Sequence, residues 1–302
     1  MPRNPRLAML PLFAAALVGL PCQANAKDAD EDSGYIEAYV SGVTASGQAS
    51  DGSEDADKSG GIYGLNLSWD RDSGDERFGV DLSSTYFAYS DPAKKDRWSN
   101  RIAGSWRHNT GSDSSIAVLG DFTSHMSTLE SSEADQVQVR GRFAYEPGQH
   151  RFRLTGGWRW RDYRDRPGFT GDGPVIGADY RMRLGDGEFL SLEGQYEKID
   201  SDLPSRSYRR STAGIEYRKP IDRSVDLVAG LRYRDWTYPS RPIGAGTQHD
   251  HSWSPEFELT YEFAKDWYVG LGGVIIWRSS NNPSYDETVK RGVITLRKRI
   301  RL

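Results

Sequence analysis

Arginines recur at every second position along this chain, and their spacing is the first chemical signal. Arg101 and Arg107, Arg140 and Arg142, Arg153, Arg159 and Arg161, Arg181 and Arg183, Arg232 and Arg234, then Arg291, Arg297, Arg299 and Arg301 keep one parity within each segment. A period of two places such residues on one face of a strand. A guanidinium is a planar fork that meets carboxylate or phosphate through two parallel hydrogen bonds, so arginine in this pattern suits oxyanion recognition. The carboxylates of the same parity are Asp81, Asp121, Asp179, Glu193, Glu197, Glu216, Asp226, Glu256, Glu258 and Glu262. Segments six to eight are rich in arginine with Asp179 as their one clear acid, while acids gather on segments nine and twelve. Complete pairing between neighbours is therefore not expected, and the excess positive charge on one wall would attract anions. The competing reading is structural, with opposite charges pairing across strands to hold the sheet.

Other reactive residues are sparse. The chain has 5 histidines: His108, His125, His150, His249 and His251. His108 and His150 lie beside short turns. His125 shares parity with Asp121 and Ser127, which would let all three share the inward face, with His125 as a candidate base. His249-Asp250-His251 falls in a long polar loop; two histidines without a third ligand at suitable spacing make a weak metal site. No catalytic residues, metal site or cofactor are assigned. Hydrolysis would need a nucleophile in reach of a base, and no serine or carboxylate signature of outer-membrane phospholipases or omptins is present.

The elements that carry these residues are strands. From Ser33 to Leu302, segments of about ten residues alternate apolar with polar, a length that matches transmembrane β-strands. Trp253, Pro255, Phe257, Leu259, Tyr261 and Phe263 point one way, and Ser254, Glu256, Glu258, Thr260 and Glu262 the other. Nearly every segment has an apolar face, and no helical period exists to cover it. A closed barrel with lipid outside and water inside satisfies that pattern. The sequence predicts an all-β fold, a transmembrane antiparallel up-and-down barrel of about 14 strands. Strand centres are expected near Val40, Leu65, Leu82, Gly104, Val118, Val139, Thr155, Tyr180, Leu192, Ile215, Ala229, Leu259, Leu271 and Ile294. In the first strand, Tyr35/Tyr39 and Ile36/Ala38/Val40 compete for the outward face. A soluble β-sandwich or lipocalin-like barrel is the alternative, but an eight-stranded barrel cannot use so many segments.

Turn chemistry supports the same plan. Asp72–Asp75, Asn109–Asp113, Glu146–Gln149, Gly185–Gly187, Pro220–Asp222 and Lys265-Asp266 are short and built from Gly, Asp and Pro. They alternate with the long polar segments Gly47–Gly60, Asp91–Asn100, Ser127–Gln136, Asp165–Pro174, Asp200–Arg209, Pro239–Ser252 and Ser279–Glu287. Short periplasmic turns and long extracellular loops are the habit of outer-membrane barrels, and they leave both termini on the periplasmic side.

The bulk numbers fit. Mean hydropathy is −0.69, low because only half of each membrane strand meets lipid. Aromatic content is 12%, as interfacial girdles require. Residues 1–26 read as a cleaved signal peptide: Arg3 and Arg6 precede an apolar Leu7–Leu20, and Ala24-Asn25-Ala26 forms the cleavage site. The single cysteine, Cys22, would leave with it; lipidation of Cys22 is the alternative, against which Pro21 is a poor lipobox residue. Residues 27–33 form a short acidic leader and 34–302 the barrel. The expected location is the bacterial outer membrane. Expected partners are outer-membrane lipid, the barrel assembly machinery, an anionic saccharide and a periplasmic export partner, with no role for nucleic acid. At the C-terminus, Ile300 and Leu302 fill the apolar slots of an assembly signal and Lys298 falls in the outward register, where it must snorkel.

Two stretches carry a family resemblance. Gly230-Leu231-Arg232-Tyr233-Arg234-Asp235-Trp236-Thr237-Tyr238 and Ser279-Ser280-Asn281-Asn282-Pro283-Ser284-Tyr285-Asp286 resemble the barrel of the surface lipoprotein assembly modifier family. In size and strand number the chain is also similar to monomeric fourteen-stranded porins, its arginine wall to acidic-oligosaccharide porins, and its outline to exopolysaccharide export barrels. These resemblances imply transport. The expectation is a channel for polar, preferentially anionic solutes, including acidic oligo- or polysaccharide. The alternatives are a secretion or surface-assembly component serving a periplasmic partner, and an outer-membrane barrel enzyme.

Overall fold

In the computed structural model, residues 32–47, 58–92, 95–126, 134–164 and 167–302 are described. The expected signal peptide and residues 27–31 of the expected acidic leader lie outside them, and Asp32 and Ser33 belong to the first strand. Fourteen strands form one closed barrel in which each strand pairs with its neighbours in sequence and β1 closes on β14. They are β1 Asp32–Ser46, β2 Gly60–Ser73, β3 Glu76–Tyr89, β4 Arg97–Asn109, β5 Ser114–Met126, β6 Ala134–Tyr145 and β7 His150–Tyr163, followed by β8 Gly171–Gly185, β9 Glu188–Ser201, β10 Tyr208–Pro220, β11 Val225–Ile243, β12 Gly246–Ala264, β13 Trp267–Ser280 and β14 Glu287–Arg301. Every pairing is antiparallel. Closure leaves no free sheet edge, which is what lets such a sheet sit in hydrocarbon. Each predicted strand centre falls within its strand.

The outward face is apolar and exposed, as lipid contact requires. Val80, Ile102, Val118, Val139, Leu154, Ile176, Leu192, Ile215, Phe257, Leu271 and Ile294 are all exposed large hydrophobics. Aromatic rings flank this belt: Trp98, Trp158, Trp160, Trp253 and Trp277 toward the long loops, and Trp106, Phe152, Tyr180 and Trp267 toward the short turns. In β1 the competition resolves: Glu37 and Ser41 are buried inside and Val40 is exposed outside, so Ile36/Ala38/Val40 take the outward face and Tyr35/Tyr39 the lumen. Lys298 snorkels as expected, with Nζ 3.1 Å from the Lys265 carbonyl and 5.4 Å from the Trp267 ring centre.

Two expectations are corrected. The segment Pro239–Ser252 is not an irregular loop; β11 and β12 continue through it and meet at Ile243/Gly246. Its alternating Gln248, Asp250 and Ser252 point inward and are buried, as is Tyr238 just before it, so polarity there marks a packed lumen rather than a solvent loop. The second concerns His125. A bulge between Thr123 and Met126 and a left-handed φ of 50° at His125 break the alternation, so parity does not carry from Asp121. His125 instead lies at the rim, with Nε2 3.3 Å from Arg164 and its backbone N–H donating to Asp135; Ser127 is outside the described residues. Short 3₁₀ turns at Pro167–Phe169, Pro204–Arg206 and Pro283–Tyr285 occupy other long connections.

Candidate functional site: the lumen wall

The registers put every predicted arginine on the inner surface, and the interior divides into two halves along the barrel axis. Toward the long loops the inward side chains are packed. Trp236, Tyr238, Glu197, Val289, Asp250 and Ser252 are the largest fully buried side chains. Ile199, Tyr208, Trp236 and Tyr238 form one apolar cluster, with Ile276 and Val289 in another. Buried charges stitch this half together. Glu197 holds Arg159 at 2.8 Å and Arg210 at 2.7 Å, and accepts from the Tyr208 hydroxyl at 3.2 Å. Arg161 donates to Gln136 at 2.9 Å. Asp250 holds Arg278 at 2.6 Å, which also reaches Glu287 at 3.4 Å. The Trp236 ring lies between the two groups, 6.0 Å from the Arg210 guanidinium and 5.7 Å from that of Arg278. Arg159 and Arg161 therefore lie in this packed half, Arg159 paired with Glu197 and Arg161 donating to the neutral Gln136 and Tyr208 side chains.

Toward the short turns more of the interior is reached by solvent, with Glu37, Ala144 and Phe189 buried among the exposed positions. Asp81, Arg183, Glu193 and Glu216 are exposed there, and Arg107, Arg142, Arg153 and Arg181 are half-buried. This vestibule has a basic wall on β4–β8 and an acidic wall on β9–β12, the latter carrying Glu193, Glu216, Asp226, Glu256 and Glu258. Some predicted arginines are paired: Arg140 with Asp121 at 3.0 Å, Arg232 with Glu193 at 3.4 Å and Glu256 at 3.3 Å, Arg297 with Glu258 at 3.1 Å, and Arg299 with Glu37 at 2.7 Å. Arg101 stands opposite Ser83 and Thr123, and Arg234 opposite Thr212 and Ser252. Arg181 and Arg183 lie over the Phe189 ring, at 5.1 and 5.8 Å.

Sequence reading missed Arg77, Arg97, Arg151, Arg210, Arg218 and Arg278 on the inner face, and Glu37, Asp70, Asp250 and Glu287 among the acids. Alternation alone marks most of them; those near strand ends lie in stretches whose composition reads as loop or turn. Cation type is also sorted by face. The strand lysines Lys198, Lys219, Lys290 and Lys298 all have the outward parity of Tyr196, Tyr217 and Ile294, whereas the inward cations of the described strands are arginines. His249 and His251 turn out to lie on the outer face of β12, His249 bonded to Asp235 at 2.7 Å. Among the described residues no group of His, Cys, Asp or Glu is placed to hold a metal.

No protein-family model and no curated protein matches the chain by sequence. Among solved structures it is similar to an outer-membrane protein of Vibrio cholerae, a loop L8 deletion mutant of OmpT, with a TM-score of 0.53 at 9% identity over 90% of this chain and 100% of that one. It is equally similar to the outer-membrane channel DcaP of Acinetobacter baumannii, with a TM-score of 0.53 at 9% identity, covering 90% of this chain and 97% of the other. At that identity the likeness is one of fold. Closed topology, lipid-type outer face and charged interior together define the class: a fourteen-stranded β-barrel of the outer-membrane type.

Proposed function

We propose that the chain is an outer-membrane channel for polar, preferentially anionic solutes, with acidic oligosaccharides or polysaccharides within its range. Residues 1–26 direct export and the barrel crosses the outer membrane with its short turns in the periplasm. The observation that carries this reading is the solvent-reached vestibule with arginines on one wall and carboxylates on the other. Fixed opposite walls set up a transverse field that draws in and orients charged solutes, and the net effect of the β4–β8 wall is attraction of anions. The packed half toward the long loops acts as the gate. No step here requires a nucleophile, so the proposed activity is passage rather than catalysis.

The test is single-channel recording of the refolded barrel in a planar bilayer, on the native chain and on Trp236→Ala. Discrete conductance steps with chloride favoured over potassium are expected. Neutralising Arg101, Arg107 and Arg183 to glutamine should move the permeability ratio toward unity. Silence in both chains overturns the channel reading. A second reading, a barrel serving a periplasmic secretion or surface-assembly partner, draws support from the packed outer half and the resemblance to assembly-modifier barrels. Silence together with a specific periplasmic crosslink at the vestibule would favour it.

A further inference from the structure

Within the basic wall one cluster sets guanidinium directly against guanidinium. Arg151 stands directly opposite Arg181 in the β7–β8 register, with Arg153 opposite Asp179 beside them. Like charges facing each other across a ladder are destabilising. The carboxylates on hand are only loosely engaged: Arg151 reaches Asp179 at 3.7 Å and Arg153 reaches Glu146 at 3.9 Å. Charge-assisted hydrogen bonds are usually about 2.7–2.9 Å. The Nε atoms of Arg142, Arg151 and Arg153 are buried and have no hydrogen-bond partner among the described residues, as is also true of paired arginines such as Arg159 and Arg297. Other interior arginines meet carboxylates at contact distance, Arg159–Glu197 at 2.8 Å and Arg299–Glu37 at 2.7 Å among them. Two guanidinium groups in direct register, loosely engaged carboxylates and half-buried positions coincide here.

We propose that Arg142, Arg151, Arg153 and Arg181 form a binding subsite for a polyvalent oxyanion, a molecule with two or more closely spaced phosphate or carboxylate groups. Guanidinium donors lie on three successive strands, β6, β7 and β8, so one compact polyanion can bridge them. Binding supplies the missing acceptors and relieves the repulsion between Arg151 and Arg181. The absence of lysine from the described inner strand positions fits a surface that selects by fork geometry, since a guanidinium offers paired donors where an ammonium is a point charge. A halide satisfies the charge but not the paired donors, so the subsite discriminates against chloride. This inference deepens the channel reading, because the subsite lies in the same vestibule.

The experiment is isothermal titration of the refolded full barrel in detergent with pyrophosphate, with citrate and with chloride at matched ionic strength. Saturable binding of pyrophosphate, of citrate or of both is expected, and which of them binds identifies the oxyanion. Arg151→Gln with Arg181→Gln should weaken that binding at least about tenfold, equal to about 1.4 kcal/mol. Arg181→Lys should fail to restore it to the native level, while Arg232→Gln on the opposite wall should leave it unchanged. Heat-modifiable gel mobility checks that each variant remains a folded barrel. Lack of saturable binding by the native chain, equal binding of chloride, or native affinity in the double glutamine variant overturns the subsite. Conductance of the same preparation separates the two ideas: a conducting barrel that binds neither oxyanion keeps the channel and loses the subsite, and a silent barrel that binds one does the reverse.

Discussion

Glu197 shows what a single lumenal residue does. It is fully buried, and its carboxylate meets Arg159, Arg210 and the Tyr208 hydroxyl. A buried ion pair gains little over apolar packing, because both partners lose their water. Removing one partner is a different matter, since the other charge stays buried without an answer. Glu197→Ala leaves Arg159 and Arg210 facing each other and should cost about 3–5 kcal/mol, seen as a lower urea midpoint for unfolding in detergent. An unchanged midpoint would mean that water enters this half freely. The same residue also shows a limit of reading by neighbours. Arg159 and Glu197 sit on β7 and β9 with β8 between them, so counting charges on adjacent strands misses the contact.

At the scale of elements, the short turns are where local sequence decides most. In the β10–β11 turn, Asp222 accepts from the backbone N–H and hydroxyl of Ser224 and from the Val225 N–H. Those donors hold its carboxyl below the usual aspartate range, the Ser224 backbone bond being the largest cause. A carboxyl lowered on folding contributes stability above its unfolded pKa and loses that contribution as pH falls through the folded value. Amide exchange at Ser224 and Val225, compared after correction for intrinsic rates, should show protection at neutral pH that fades under acid. Asp222→Ala should remove both the protection and its pH dependence; protection that persists in the variant would show that the turn closes without the side chain. Long connections behave differently. The β11–β12 segment contains Pro239, Pro242 and Gly244 and looks like a loop in sequence, yet it pairs through Ile243/Gly246 after a register shift. Arg241 fastens it by lying 4.0 Å over the Tyr238 ring and donating to the Ser205 carbonyl, a contact between elements that no local signal announces.

For the whole molecule, the proposed channel reading turns on the difference between the packed and the wetter part of the interior. Trp236 joins the Glu197 and Asp250 groups by lying between Arg210 and Arg278. Shortening it removes the ring that fills the middle of the packed half. On the proposed channel reading, Trp236→Ala should therefore raise the open fraction in bilayer recordings relative to the native chain, and the ion preference should match that of the native chain. Equal open fractions would place the gate elsewhere.

The sequence by itself determined the number of strands, the antiparallel meander, the outward face of every strand but the first and which end carries the short turns. It could do so because alternation, turn chemistry and aromatic placement are local, and because a membrane strand must show its environment at every second residue. Arg140, Arg153 and Arg183 were legible as lumenal for that reason. The fate of each charge was decided by tertiary structure. Curvature brings Glu197 to Arg159 across an intervening strand, a bulge turns His125 to the rim, and extended β11 and β12 bury Tyr238 and Asp250 in the lumen. Burial and charge pairing inside a barrel depend on how far the wall bends and on what stands one or two strands away, and periodicity along a chain holds no record of that distance.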